Sequence, residues 1–181
     1  MKTTLCPSNR TEWNRLWACS VLGSADFPDA RLGRRAASLL AQQAERPGDS
    51  LVQAAGDAAA AKGNYRLLEN DRVTAEHFWE PIHVDTAKRL VRCDRILSIQ
   101  DTTTLMFPGL AATTGLGTME TEREEALLMH SALAVRPDGQ VLGLLHNHVW
   151  ARPPEEFKKA HRRKARPLEE KESYKWIRGI R

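Results

Sequence analysis

The residues with the clearest chemical potential are Asp101 and the three hydroxyls that follow it, Thr102, Thr103 and Thr104, at the end of the β-favouring run Ile96 Leu97 Ser98 Ile99 Gln100. The run predicts a buried strand carrying an acid out of a sheet. A desolvated carboxylate is costly unless a cation or hydrogen bonds hold it, and Mg²⁺ or Mn²⁺ takes oxygen ligands of this kind. Asp101 is therefore the leading candidate metal ligand; the competing reading is an Asp that caps the strand end with its Thr neighbours. His130, on the middle strand, has two readings: a place across the sheet from Asp101, or, the favoured one, ordinary packing or hydrogen bonding.

A second group of candidates is basic. Arg31, Arg34 and Arg35 fall at i, i+3 and i+4 and share a helix face, while Lys62, Tyr65 and Arg66 lie on an alanine-rich helix. Such rows can meet consecutive phosphates or a base edge of double-stranded DNA; the plain alternative is a solvated helix surface. The tripeptide His146 Asn147 His148 spells a nuclease name, but that name refers to residues spread over a ββα unit, so the letters are a decoy. The two histidines share a strand face, with no third metal ligand near them in sequence.

Composition sets bounds on these readings. With 181 residues, 41% hydrophobic and 28% charged, the chain suffices for one ordinary core with a helical appendage. No apolar run approaches the roughly 20 residues that span a bilayer, and Met1 to Pro7 has no signal-peptide pattern, so a cytoplasmic location is expected. Cys6, Cys19 and Cys93 are odd in number and dispersed, which predicts reduced thiols rather than structural zinc. The net charge of +4 is uneven. Positions 151–181 hold 11 Lys or Arg against 5 Glu, and the run from Lys158 to Arg166 is suited to sequence-independent phosphate contacts or to a solvated loop. Gly-rich phosphate loops, GxSxG elbows and HExxH motifs do not occur, which argues against a nucleotidase, a common serine hydrolase or a zinc protease.

The elements that position these residues divide into two regions, giving an α+β chain. Residues 1–92 predict a small helical bundle: Trp13, Leu16, Trp17, Ser20 and Val21 on one helix face; Leu32, Ala36, Leu39 and Leu40 on another, after the Pro28 Asp29 cap signal; and an alanine-rich helix from Asp57 to Asn70. Thr74 then caps a short helix and Pro81 opens the next, running to about Arg92. The bundle is compatible with a helix-turn-helix. Residues 93–181 predict an antiparallel meander with strands over Ile96–Phe107, Leu127–Val135 and Val141–Trp150, the last two joined by a Pro137 Asp138 Gly139 turn. A Gly- and Thr-rich loop, Pro108–Thr121, separates the first two.

Several segments together resemble the bacterial DDE transposases of the IS-four group, which includes the Tn-five-type transposase. They run in order as Asp29 to Arg35, Lys62 to Asn70, Ile99 to Thr103, His130 Ser131, Gly143 to His146, Trp150 to Pro153 and Glu170 to Trp176. The resemblance implies an N-terminal domain that recognises transposon-end DNA, followed by the opening strands of an RNase H-like DDE core. It carries the first of three metal-binding carboxylates over to Asp101, with Mg²⁺ or Mn²⁺ as cofactor in the complete enzyme. The family's second Asp and its Glu belong to elements that follow Trp176, and Glu169, Glu170 and Glu172 precede them and are no substitutes. The expectation is thus a truncated transposase of a mobile element, inactive in DNA recombination by itself, that binds transposon ends alone, as a homodimer, or with a full-length transposase. The alternatives are a non-catalytic DNA-binding protein that inhibits a full-length relative, and an unrelated metal nuclease complete in itself. The open meander is also expected to leave an unpaired sheet edge and exposed apolar surface.

Overall fold

In the computed structural model, residues 9–23, 25–109, 113–118, 125–153 and 167–179 are described. The basic run Lys158–Arg166 and part of the Pro108–Thr121 loop lie outside them. The chain forms two compact units, one up to Asp85 and one from Thr86 on. The division falls inside a helix.

The first unit is a helical bundle. Helix α1 (Arg10–Leu22) begins where Asn9 Oδ1 accepts from the Glu12 amide at 2.9 Å, and α2 (Ala30–Glu45) begins at Asp29, whose carboxylate accepts from the Arg31 amide. The two run antiparallel, since Glu45 at the end of α2 accepts from Thr11 and Asn14 near the start of α1. Val21, Leu22, Ala36, Ala37 and Leu67 form the buried cluster, and Trp17, Phe27, Leu32, Leu40, Phe78 and Ile82 pack around it. The buried stripe of α1 is rotated from the expected one. Ala18, Val21 and Leu22 face inward, whereas Trp13 and Leu16 are largely exposed, because the bundle closes through small side chains that leave no room for the outer indole.

Short helix α3 (Leu51–Ala55) was not foreseen; a Ser50–Gln53 capping box starts it and Gly56, at φ 80°, ends it. Asp57 follows at once and caps α4 (Ala58–Leu68) through the Ala60 amide. The two helices expected around Thr74 and Pro81 are one continuous helix, α5 (Glu76–Leu90). Proline this early forfeits a single helical hydrogen bond, and the packing of Phe78 and Ile82 on the core holds the helix through it.

The second unit holds an antiparallel sheet. Strand β3 (Glu125–Val135) is central, between β1 (Leu97–Met106) and β4 (Val141–Trp150), with the two-residue β2 (Gly117–Thr118) pairing the start of β3. The β3–β4 turn is the expected one, with Gly139 at φ 88°. Ala126, Leu128, His130, Ala132 and Ala134 alternate on the buried face of β3. The C-terminal segment, with 3-10 turns at Leu168–Glu170 and Glu172–Tyr174 and the short α6 (Lys175–Arg178), contributes Trp176 to this face, edge-on to the His130 ring. The end of α5 reaches β4, where Arg89 donates to the Leu142 carbonyl at 2.9 Å. Among the described residues no helix is long and apolar enough to cross a membrane.

β1 is an edge strand and is mostly exposed, not buried as its residue types suggest. Its β-branched residues serve ladder pairing with β3. Leu97, Ile99, Leu133 and Val149 leave an exposed apolar surface, as the open meander implies.

Gly143 lies at φ 153°, and a Cβ there would run into the side chain of buried Thr86. Gly143→Ala is expected to destabilise the second unit by about 2 kcal/mol, read as a lower urea midpoint; an unchanged midpoint would contradict the close approach.

Candidate functional site

The basic residues of the bundle form two neighbouring rows. On α2, Arg31 and Arg34 are exposed and Arg35 is half-buried, and together with Ser38 they line a small surface cleft of about 320 Å³. On α4, Ala61, Asn64 and Leu67 are buried, which turns Lys62, Tyr65 and Arg66 to solvent on one face. The rows meet where the helices cross. A Cβ placed on Gly63 would come within 2.7 Å of Arg35 Cζ, so the Arg35 guanidinium lies across the α4 backbone at the one residue with no side chain to displace it. Nearby, buried Asn64 donates to Gln42 Oε1 at 2.9 Å and pins α4 to α2. All six expected basic and aromatic candidates thus lie on a single unit, and the two rows touch where Arg35 meets Gly63.

Asp29 binds this surface from within. Its carboxylate caps α2 and also takes the Arg31 guanidinium, with Nη2 to Oδ2 at 2.9 Å and Nε to both oxygens at 3.3 Å. Hydrogen bonds from the Arg31 side chain and then its amide pull the Asp29 pKa down to about 2. The carboxylate is therefore fully ionised at neutral pH.

An open groove of about 1160 Å³ runs between α1, α2 and α3, walled by small residues such as Ala37, Ala41 and Ala54, with Arg15 and Arg34 among its polar members.

In the second unit Asp101 is exposed near the middle of β1, opposite Ser131 of β3, which is in turn opposite Asn147 of β4. These three make a polar row of oxygen-bearing side chains across a sheet face whose neighbouring rows are Ile99–Leu133–Leu144 and Thr103–Met129–Val149. Asn147 Oδ1 is buried without a hydrogen-bond partner among the described residues. The middle letter of the His146 Asn147 His148 tripeptide, not its histidines, shares the face of Asp101.

His130 does not face Asp101. Its register partner is Thr102, which puts the imidazole on the opposite side of the sheet. There Nδ1 lies 2.9 Å from Thr102 Oγ1 and Nε2 lies 3.0 Å from Gln100 Oε1. Because the amide oxygen only accepts, Nε2 carries the proton and Nδ1 accepts the Thr102 hydroxyl. One ring therefore holds the residues on both sides of Asp101. Burial, and then the Lys175 ammonium, push the His130 pKa down, and burial with Arg178 and Lys175 does the same to His148. Around them Glu172 accepts from Trp150 Nε1 at 3.2 Å and from Arg152 at 2.9 Å, and Lys175 Nζ sits 4.8 Å above the Trp150 ring. Glu172, with no metal role expected, is thus a structural anchor.

Among the described residues no three His, Cys, Asp or Glu side chains stand together to hold a metal ion. Residues missed by sequence reasoning are Ser38 and Gly63, whose role comes from the helix crossing, and Asn64 and Asn147. Asn64 was detectable, since the Ala61–Leu67 period puts it on the buried stripe, where an amide needs a partner.

Residues 14–73 match the family model for the transposase DNA-binding region. The matched segment begins within α1, contains α2, α3 and α4, and so includes both basic rows. This segment is thus similar to the DNA-binding region of transposases, which points to DNA as a partner.

Proposed function

We propose that this chain is the end-recognising part of a transposase of the IS-four group, acting in cut-and-paste transposition on the nucleoid in the cytoplasm of a bacterial cell. The observation that carries this reading is that the DNA-binding match falls on the unit where two basic rows are contiguous. The tight α3–Gly56–Asp57–α4 connection is suited to a helix-turn-helix with α4 as the helix that enters the major groove. In that arrangement Lys62, Tyr65 and Arg66 approach base edges, while Arg31, Arg34, Arg35 and Ser38 take backbone phosphate. A second copy on the paired transposon end, or a full-length transposase, is the protein partner of this reading.

For the catalytic side, we assign Asp101 as the first metal ligand of an RNase H-like DDE core. The row of Asp101, Ser131 and Asn147 offers hard oxygen donors, which is the chemistry that Mg²⁺ and Mn²⁺ accept. When bound by a full carboxylate triad, two such ions activate the attacking oxygen and stabilise the leaving one. Asp101 alone does not hold two ions, so strand transfer requires two further carboxylates. The chain by itself is then a DNA-binding protein without cleavage activity, which also makes it a competitor for the ends that a complete transposase uses.

Fluorescence anisotropy on the terminal inverted-repeat duplex against a scrambled one tests this reading. The wild-type chain is expected to prefer the terminal duplex and, with Mg²⁺ or Mn²⁺ added, to leave it uncut. Arg66→Ala should cost about 1–3 kcal/mol of that preference. Arg34→Ala should weaken both duplexes alike and flatten the salt slope by about 0.9. Gly63→Ala is the separating variant: it improves helix propensity by about 1 kcal/mol, so the fold holds while Arg35 is displaced and affinity falls. Equal weak binding to both duplexes, unaltered by these changes, would sink the proposal, and metal-dependent nicking lost in Asp101→Asn would overturn the inactive assignment.

A further inference from the structure

The cleft formed by Arg31, Arg34, Arg35 and Ser38 carries its own anion. Among the described residues Arg34 and Arg35 make no ion pair, whereas the outermost cation, Arg31, is held by Asp29 through three side-chain hydrogen bonds of 2.9 to 3.3 Å. The pair lies in the open, with the Arg31 side chain 81% accessible, so solvent and DNA both reach it. A carboxylate and a phosphate present similar pairs of oxygens to a guanidinium.

We infer that Asp29 is an internal competitor for DNA phosphate at Arg31, a specificity-determining residue that withholds this cation from DNA of arbitrary sequence. The inference rests on the reading of the bundle as a DNA-binding unit and adds a cost to it. Sequence-independent binding draws nearly all of its free energy from cations that displace counterions from phosphates. A cation already paired with an acid gains little by exchanging one oxyanion for another, and the released acid is left beside the phosphates. The geometry builds this cost into the fold, because the same carboxylate caps α2 through the Arg31 amide at 2.7 Å and stays near the cleft whether or not DNA is present. Specificity thus gains from an element that opposes the wrong duplex as well as from contacts that favour the right one.

The test separates cap from charge. Asp29→Asn and Asp29→Ser both keep a side chain that caps a helix well, and circular dichroism checks that α2 persists. Binding of the full chain to a random-sequence duplex is followed by anisotropy across a KCl series for wild type, both Asp29 variants, Arg31→Ala and the Asp29→Asn/Arg31→Ala double variant. The expected result is two- to fivefold tighter binding for each Asp29 variant at moderate salt, about the range open to an exposed ion pair. The slope of log K against log salt should steepen by about 0.9, one more phosphate neutralised. In the Arg31→Ala background the Asp29 substitution should not steepen the slope, since no cation is left to release, and should give only the smaller gain that comes from removing the acid's own repulsion of phosphate. A slope unchanged in the Asp29 variants, or one that steepens equally without Arg31, would overturn the inference and leave DNA binding intact. A wild-type chain that binds no duplex at all would instead remove the DNA-binding reading, and this inference with it.

Discussion

The close approach of α2 and α4 is the constraint on which the DNA-binding surface depends. Ala36 and Ala37 of α2 and Ala61 of α4 are buried, and where the helices cross, Gly63 allows the Arg35 guanidinium to lie across the α4 backbone while Asn64 bonds Gln42 across the interface. A side chain at Gly63 separates the rows, and an apolar residue at position 64 leaves Gln42 without its partner. Small residues thus act here by distance rather than by the area they bury: they bring Arg35 of the α2 row against α4, the helix that carries Lys62, Tyr65 and Arg66. The immediate succession of Gly56 and Asp57, a left-handed residue and then a helix cap, fixes where α4 starts and so which of its residues share that surface.

The second unit follows a different logic, that of a sheet with two unlike faces. One face buries alternate alanines, Leu128 and His130 and receives Trp176; the other carries Asp101 in a polar row bordered by apolar rows. On the buried face His130 holds the side chains of Gln100 and Thr102, the two chain neighbours of Asp101. A buried neutral imidazole with both nitrogens used is a rigid support, since rotation in either direction strands a polar atom.

Much of this was legible in the sequence, and the limits have physical causes. Local pattern places α4 and the three long strands to within two residues at each end, and the Pro28 Asp29 signal marks the start of α2. The sequence places Lys62, Tyr65 and Arg66 on the alanine-rich helix, and burial of Ala61, Asn64 and Leu67 turns them to solvent. Pairing register was not legible: whether His130 opposes Asp101 or Thr102 turns on one residue, and a shift of one changes the face. Burial of β1 was misread because β-branched residues suit an edge ladder as well as a sheet interior. The division of α5 at Pro81 was misread because core packing overrides one missing hydrogen bond. The contact of Arg35 with Gly63 joins residues far apart in sequence, and no local pattern encodes it.

The central claim is that DNA is received by the joined α2 and α4 surface. Its most direct measurement is the map of backbone ¹⁵N–¹H chemical-shift changes when the chain is titrated with the terminal duplex. The largest changes are expected on the first turns of α2 and on Lys62, Tyr65 and Arg66, with the β1–β3–β4 sheet little affected. Changes centred on the sheet, or on the outward Trp13 and Leu16 side of α1, would contradict it.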